Sequence, residues 1–177
     1  MLTELSEAKV VVCDLGFLLS PIAILMSAFI AGTIAINISQ RQKSVELLQQ
    51  IKSDYRVDDG LATLRKIHND SNTEVHCYAY DGKADSDEAI NIRYLLNTLE
   101  QMASGISDRV YDENIIKRSK YTTVTNTYKR AKTFIEKVQE NQPTAYQELS
   151  SLAKRWESHP LKKRGFLEKI LRRLRVI

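Results

Sequence analysis

The chain has 177 residues, of which 43% are hydrophobic and 27% charged, with a formal net charge of +4. Residues from about 45 to 160 suffice for one domain with a real core. Two cysteines, Cys13 and Cys77, do not suggest a disulfide scaffold and fit free thiols in a reducing compartment. The positive charge sits at the C-terminus, where Lys162, Lys163, Arg164, Lys169, Arg172, Arg173 and Arg175 are countered only by Glu168. The rest of the chain is net acidic. A nucleic-acid-binding domain carries its basic patch on the folded body, so nucleic acid is not the expected partner.

The stretch from Leu15 to Ile36 carries no charged side chain. About 20 apolar residues in a helix cross a hydrocarbon core of roughly 30 Å. Eleven of these residues are Leu, Ile or Phe, each favouring insertion by roughly 0.3–0.6 kcal/mol, about 5 kcal/mol together before polar penalties. Pro21 falls in the first two turns, where a missing amide costs least. The run predicts a transmembrane helix over 15–38, preceded by a short leader, 1–14. Two other readings fit the run less well. A buried helix of a soluble domain seldom stays apolar on every face for this length. A cleaved signal peptide has a basic n-region, whereas this leader sets Glu4 and Glu7 against Lys9.

Small residues recur on the span at intervals of four: Ala23, Ser27, Ala31 and Ala35, with Ala28 and Gly32 alongside. Such stripes let helix backbones approach closely in lipid, which points to self-association or a partner helix. They also occur in membrane helices that stay single. Arg41 and Lys43 follow the span and only Lys9 precedes it, a bias that places the C-terminal side in the cytoplasm. The expected location is the inner membrane, crossed once, with the N-terminus outside.

Residues 39–160 read as a cytoplasmic helical domain. The first helix is expected to continue through Tyr55 with Leu47 and Ile51 on one face, and to break at Asp58-Asp59-Gly60. A short helix follows on Leu61, Leu64 and Ile67. The stretch from Asn69 to Asp87 is the least helical; a two-stranded ribbon at Val75–Tyr80 is conceivable, but a loop with a short helical turn is preferred. Asp85 or Ser86 caps the clearest helix, whose stripe is Ile92, Leu95, Leu96, Leu99, Met102, Ala103 and Ile106. Asp112 then caps a short turn, ENIIKR. A further helix from about Thr122 to Asn141 carries Val124, Tyr128, Ala131, Ile135 and Val138. Pro143 suits the first turn of a last domain helix, with Tyr146, Leu149, Leu152, Ala153 and Trp156 aligned, ended by His159-Pro160. The fold class is all-α: a single N-terminal transmembrane helix, a helical bundle of four or five helices, and a C-terminal basic amphipathic helix.

That last element, 161–177, sets Phe166, Leu167, Ile170, Leu171, Leu174 and Ile177 on one face and Lys162, Lys163, Arg164, Lys169, Arg172, Arg173 and Arg175 around the remainder. The pattern is that of a helix lying in the headgroup layer of an anionic leaflet. Packing of its apolar face on the bundle or on another subunit is the second reading. Nucleic acid is the third, weakened by Phe166 being the tail's sole stacking residue.

The segment YLLNTLEQMASGISDRVYDENIIKR, followed later by AYQELSSLAKRWE, resembles a bacterial family of unknown function numbered four-seven-six-zero. The resemblance rests on Leu96-Asn97 with Glu100, on Ala103, Gly105-Ile106 and Tyr111-Asp112, and later on Tyr146, Leu152-Ala153 and Arg155-Trp156, and covers about Val45 to Glu157. It implies one N-terminal membrane helix followed by a helical domain. It supplies no activity, cofactor or catalytic residues.

Asn97 and Glu100 are polar on a helix rich in apolar residues. A structural hydrogen bond to a neighbouring helix, involving Arg155 or Tyr111, is the first reading and a ligand site the second. Signals for enzyme chemistry are weak. The six glycines are scattered, and His68, His76 and Cys77 lack metal-ligand spacing and a fourth partner. Arg155 and His159 resemble the Arg–His pairs of some helical ribonucleases, with a gap one residue too short. No cofactor is expected. The expected role is a non-enzymatic interaction or scaffold module at the inner membrane, binding a protein partner or a second copy. The alternative is a membrane-acting effector of phage exclusion or defence that oligomerises through the span.

Overall fold

A computed structural model describes residues 2–70, 74–80 and 82–161, with side chains from Ala23 onward. Every regular element among the described residues is helical. Helix α1 runs Leu2–Ser53, α2 Tyr55–Asn69, α3 Asp87–Ser107, α4 Glu113–Asn141 and α5 Gln147–Ser158, with a 3-10 turn at Val75–Tyr78. The chain divides into two compact units, 1–42 and 43–177.

The first unit is the apolar part of α1. Ile24, Leu25, Met26, Phe29, Ile30, Ile34 and Ile36 are each more than half exposed. The helix is long and apolar enough to cross a membrane.

In the second unit α3 packs against α2 and α5, and α4 packs against α5, α2 and the 3-10 turn. The whole predicted α3 stripe, from Ile92 to Ile106, is buried, and so are Val124, Tyr128, Ala131, Ile135 and Val138 of α4. Trp156 and Phe134 are the largest fully buried side chains. Full burial of such a residue contributes roughly 1.5–3 kcal/mol, which is why the stripes dictate the packing. Ser86 caps α3 by accepting from the Ala89 N–H, and Asp112 caps α4 by accepting from Asn114.

Three boundaries differ from the sequence reading. The first break falls at Asp54, whose carboxylate caps α2 through the Arg56 N–H, and not at Asp58-Asp59-Gly60. Gly60 lies inside α2 at its crossing with α3: a Cβ there would stand 2.7 Å from the Asn91 carbonyl oxygen and from Leu95 Cβ. The glycine marks close backbone approach, not a chain break. Secondly, ENIIKR is the start of one helix, α4, that continues to Asn141. Ile116 is fully buried on it, which ties that first turn to the core. Thirdly, Pro143 lies in the turn before α5; Tyr146, in left-handed backbone at φ 57°, precedes the first helical residue.

Among its described residues, the least helical stretch carries no strand and forms a short helical turn at Val75–Tyr78, the preferred reading. Arg93 secures it from α3, donating from Nη1 to the Ala84 carbonyl and from Nη2 to the Ala79 carbonyl, both at 2.8 Å.

Candidate functional site: an apolar helix and a pinned helical end

Residues Ala23, Ser27, Ala28, Ala31, Gly32 and Ala35 are all exposed along α1. The hydroxyls on this helix are satisfied within it. Ser27 Oγ donates to the Ile24 carbonyl and Thr33 Oγ1 to the Ile30 carbonyl, both at 2.8 Å. A hydroxyl bonded back to its own helix carries little of the cost of an unpaired polar group in hydrocarbon.

In the second unit the polar residues singled out from sequence resolve into joints between helices. Glu100 of α3 is half-buried, and its carboxylate accepts from the backbone N–H of Glu148 (3.1 Å) and of Leu149 (2.7 Å). These are orphan donors in the first turn of α5, and the residue at the cap position, Tyr146, offers no side-chain bond to them. Glu100 thus caps α5 from another helix, and its negative charge complements the helix dipole. The expected partners, Arg155 and Tyr111, are engaged elsewhere. Asn97 is exposed, and the joint forms without it.

Arg155 pairs with Glu113 at the start of α4, with Nε at 3.3 Å and Nη2 at 3.2 Å from its two carboxylate oxygens. Trp156 Nε1 donates to the same Glu113 at 2.7 Å. The Trp156 ring stacks on Tyr121 at 6.3 Å, and Lys117 Nζ stands 5.9 Å from the ring. Lys117 also donates to the His159 carbonyl at 2.6 Å. Tyr111 lies against Gly105, where a Cβ would stand 2.2 Å from the ring. The Asp112 N–H donates to Ser44 Oγ at 2.7 Å, and Ser44 is fully buried. The start of the unit, the α3–α4 corner and the end of α5 are therefore pinned together.

Sequence reasoning missed Ser44 and Glu113. Ser44 carried no signal beyond being a small polar residue in a helix. Glu113 looked like a local first-turn acid, and its partners lie more than 40 positions away. Also missed was Tyr94, whose hydroxyl donates to Asp54 at 2.6 Å. That bond holds the phenol above its ordinary range, with burial adding to the effect. Burial likewise raises the Tyr146 phenol and lowers the Lys120 ammonium.

An open groove of roughly 650 Å³ lies between α4 and α5. Its charges are largely paired across or along it, Lys129 with Glu157 at 3.3 Å and Lys132 with Glu136 at 3.8 Å. His76 sits 2.9 Å from Glu74, and the described residues contain no group of three His, Cys, Asp or Glu placed to hold a metal ion. The Arg155 guanidinium is turned to Glu113, while His159 Nδ1 lies 2.9 Å from Ser158 Oγ. The tail residues expected at a membrane surface, Lys162, Lys163, Arg164, Phe166, Leu167, Lys169, Ile170, Leu171, Arg172, Arg173, Leu174 and Arg175, lie outside the described residues.

The sequence pattern of a family described as "Domain of unknown function (DUF4760)" matches residues 19–156. The matched stretch extends beyond the segment that carried the resemblance, into the apolar run. No curated protein and no solved structure matches the chain.

Proposed function

The chain belongs to the family of unknown function DUF4760, with most of its apolar helix inside the matched stretch, and from that premise we propose that it is a single-pass membrane protein whose helical domain serves as an interaction module on the cytoplasmic face of the inner membrane. The observation that carries the reading is the exposure of every described side chain from Ala23 to Ile38 on a helix this apolar. Water penalises such a surface at about 25 cal/mol per Å², and a bilayer removes the penalty. A cleaved signal peptide fits less well. The same helix later supplies Ser44 and Ile51, both buried in the domain, so cleavage after the apolar run would fall within the helix that feeds the core.

Arg41 and Lys43, following the apolar run, support a cytoplasmic domain. The small residues Ala23, Ser27, Ala31 and Ala35, exposed at one-turn spacing, support contact with another membrane helix. The test is extraction of membranes from expressing cells with alkaline carbonate, together with a C-terminal reporter that is active only in the cytoplasm. Retention in the pellet and an active reporter are expected. Release by carbonate would overturn the anchor, and an inactive reporter would overturn the orientation.

A further inference from the structure

The groove between α4 and α5, at roughly 650 Å³, has the volume of a small-molecule site. Helical periodicity builds its lining. Lys129, Lys132 and Glu136 recur at intervals of three and four along α4, and Ser151, Lys154 and Glu157 at intervals of three along α5. The buried Tyr128 and Ile135 supply apolar lining between them. The charges of the groove are thus three ammonium groups and two carboxylates, and they are unevenly satisfied. Lys154 is exposed and makes no ion pair or hydrogen bond among the described residues, and the same holds for the Ser151 hydroxyl. Lys132 meets Glu136 at 3.8 Å with both side chains more than half exposed, a pair that solvent screens. Glu157 has the opposite deficit. Its Oε1 is shut off from water and accepts no hydrogen bond; Lys129 Nζ, 3.3 Å away, meets it only as an ion pair. A buried carboxylate oxygen without a hydrogen bond carries a desolvation cost that such a contact offsets only in part. The groove therefore holds a cation that lacks an anion and an acceptor that lacks a donor.

We propose that this groove binds a small phosphate monoester that carries an ammonium group. Its phosphate sits between Lys132 and Lys154 with the Ser151 hydroxyl donating to it, and its ammonium donates to Glu157 Oε1. Lys129, on a flexible side chain that is largely exposed, turns from Glu157 to the phosphate and so uncovers the oxygen it now covers. A phosphate dianion suits three ammonium groups better than a carboxylate does, because it offers more charge and more acceptor oxygens, and lysine meets phosphate as a mobile point charge. The inference concerns the helical unit alone and does not depend on the reading of α1 as a membrane span.

The experiment is calorimetric titration of the full chain in nonionic detergent with three probes. O-Phosphoethanolamine carries both groups, monoethyl phosphate lacks the ammonium, and glycerophosphoethanolamine is a phosphodiester with the same ammonium, standing for a lipid headgroup. Saturable binding of one O-phosphoethanolamine per chain is expected, tighter than that of either other probe. Lys154→Ala should weaken both monoesters by roughly threefold to fivefold, the upper range for one exposed charge contact, and Lys154→Arg should restore them. Glu157→Gln should weaken O-phosphoethanolamine and leave monoethyl phosphate bound no less tightly, a split that general damage to the fold would not produce. Absence of saturable heat with O-phosphoethanolamine up to about 10 mM, beyond the range of a millimolar complex, would overturn the proposal. So would binding that neither Lys154→Ala nor Glu157→Gln alters, or equal affinity for the phosphodiester.

Discussion

Replacing Glu100 tests whether a single carboxylate holds α5 in place. Its two oxygens take the Glu148 and Leu149 N–H groups at 3.1 and 2.7 Å. A hydrogen bond to a charged group contributes about 1.5–3 kcal/mol net, and loss of an ordinary helix cap costs about 0.5–2 kcal/mol. The two bonds share one carboxylate and the site is half-buried, so water recovers part of the loss. Glu100→Ala is expected to cost about 2–3 kcal/mol, set against a typical domain stability of 5–15 kcal/mol. For a domain of this size that lowers the melting temperature by roughly 10 °C. Glu100→Gln keeps one acceptor and loses the charge, so about half the effect is expected. The assay is urea unfolding of the full chain in detergent, followed by the fluorescence of Trp156, the sole tryptophan. It sits on α5 and is fully buried, so it reports the docking of that helix directly. Asp59→Asn, at an exposed position of α2, serves as the surface comparison. A Glu100→Ala loss within about 0.5 kcal/mol, the range of an unremarked surface change, would refute the capping argument.

Other perturbations follow from the same joints. Gly105→Ala would place a Cβ 2.2 Å from the Tyr111 ring and is expected to cost about 1–3 kcal/mol as overpacking; adding Tyr111→Ala should make the double variant less damaged than the sum, measured by the same urea series. Gly60→Ala meets the Asn91 backbone, which cannot swing aside as a ring can, so its loss should lie at or above the top of that range. Ser44→Ala removes the acceptor for the Asp112 N–H at a fully buried site, for an expected loss of about 1–3 kcal/mol. Burial raises the Tyr146 phenol above its ordinary value of 10.0. The unfolded chain therefore releases this proton first, and the stability held below that pH is lost as pH rises toward the folded value. Tyr146→Phe should flatten this part of the alkaline slope, seen as unfolding midpoints compared between about pH 9 and about pH 11.

The helix stripes were legible in the sequence because burial acts on periodicity, and every apolar position predicted for α3 and α4 is inside. Boundaries were less legible where a residue's local meaning conflicts with its tertiary use. Gly60 reads as a breaker beside two aspartates, yet the close crossing of α2 and α3 needs a residue without a side chain inside a helix. Pro143 reads as a first-turn residue, yet α5 starts after Tyr146 because its first-turn amides are met from α3 by Glu100. The polar pair Asn97 and Glu100 shows the limit of face counting. Both sit on α3 one turn apart, and only Glu100 turns to the α5 N-terminus. Which partner it finds is fixed by the return of a helix 48 residues later in the chain, and no local pattern carries that.

The residues behind the family resemblance now have physical duties. Glu100 caps α5, Gly105 seats Tyr111, Asp112 caps α4 and reaches Ser44, and Arg155 with Trp156 converges on Glu113. Glu100, Asp112 and the Arg155–Trp156 pair join segments that are distant in sequence, and the last two of these joints lie where the chain enters and leaves the helical unit. Substitutions at the joints should therefore act through stability, while substitutions at the exposed Ala31 or Gly32 should change what the apolar helix touches at little cost to the fold. Full-length variants at both classes of position, compared for unfolding and for membrane retention, separate the two roles. If Ala31 or Gly32 proved as costly to stability as Glu100, the division would fail.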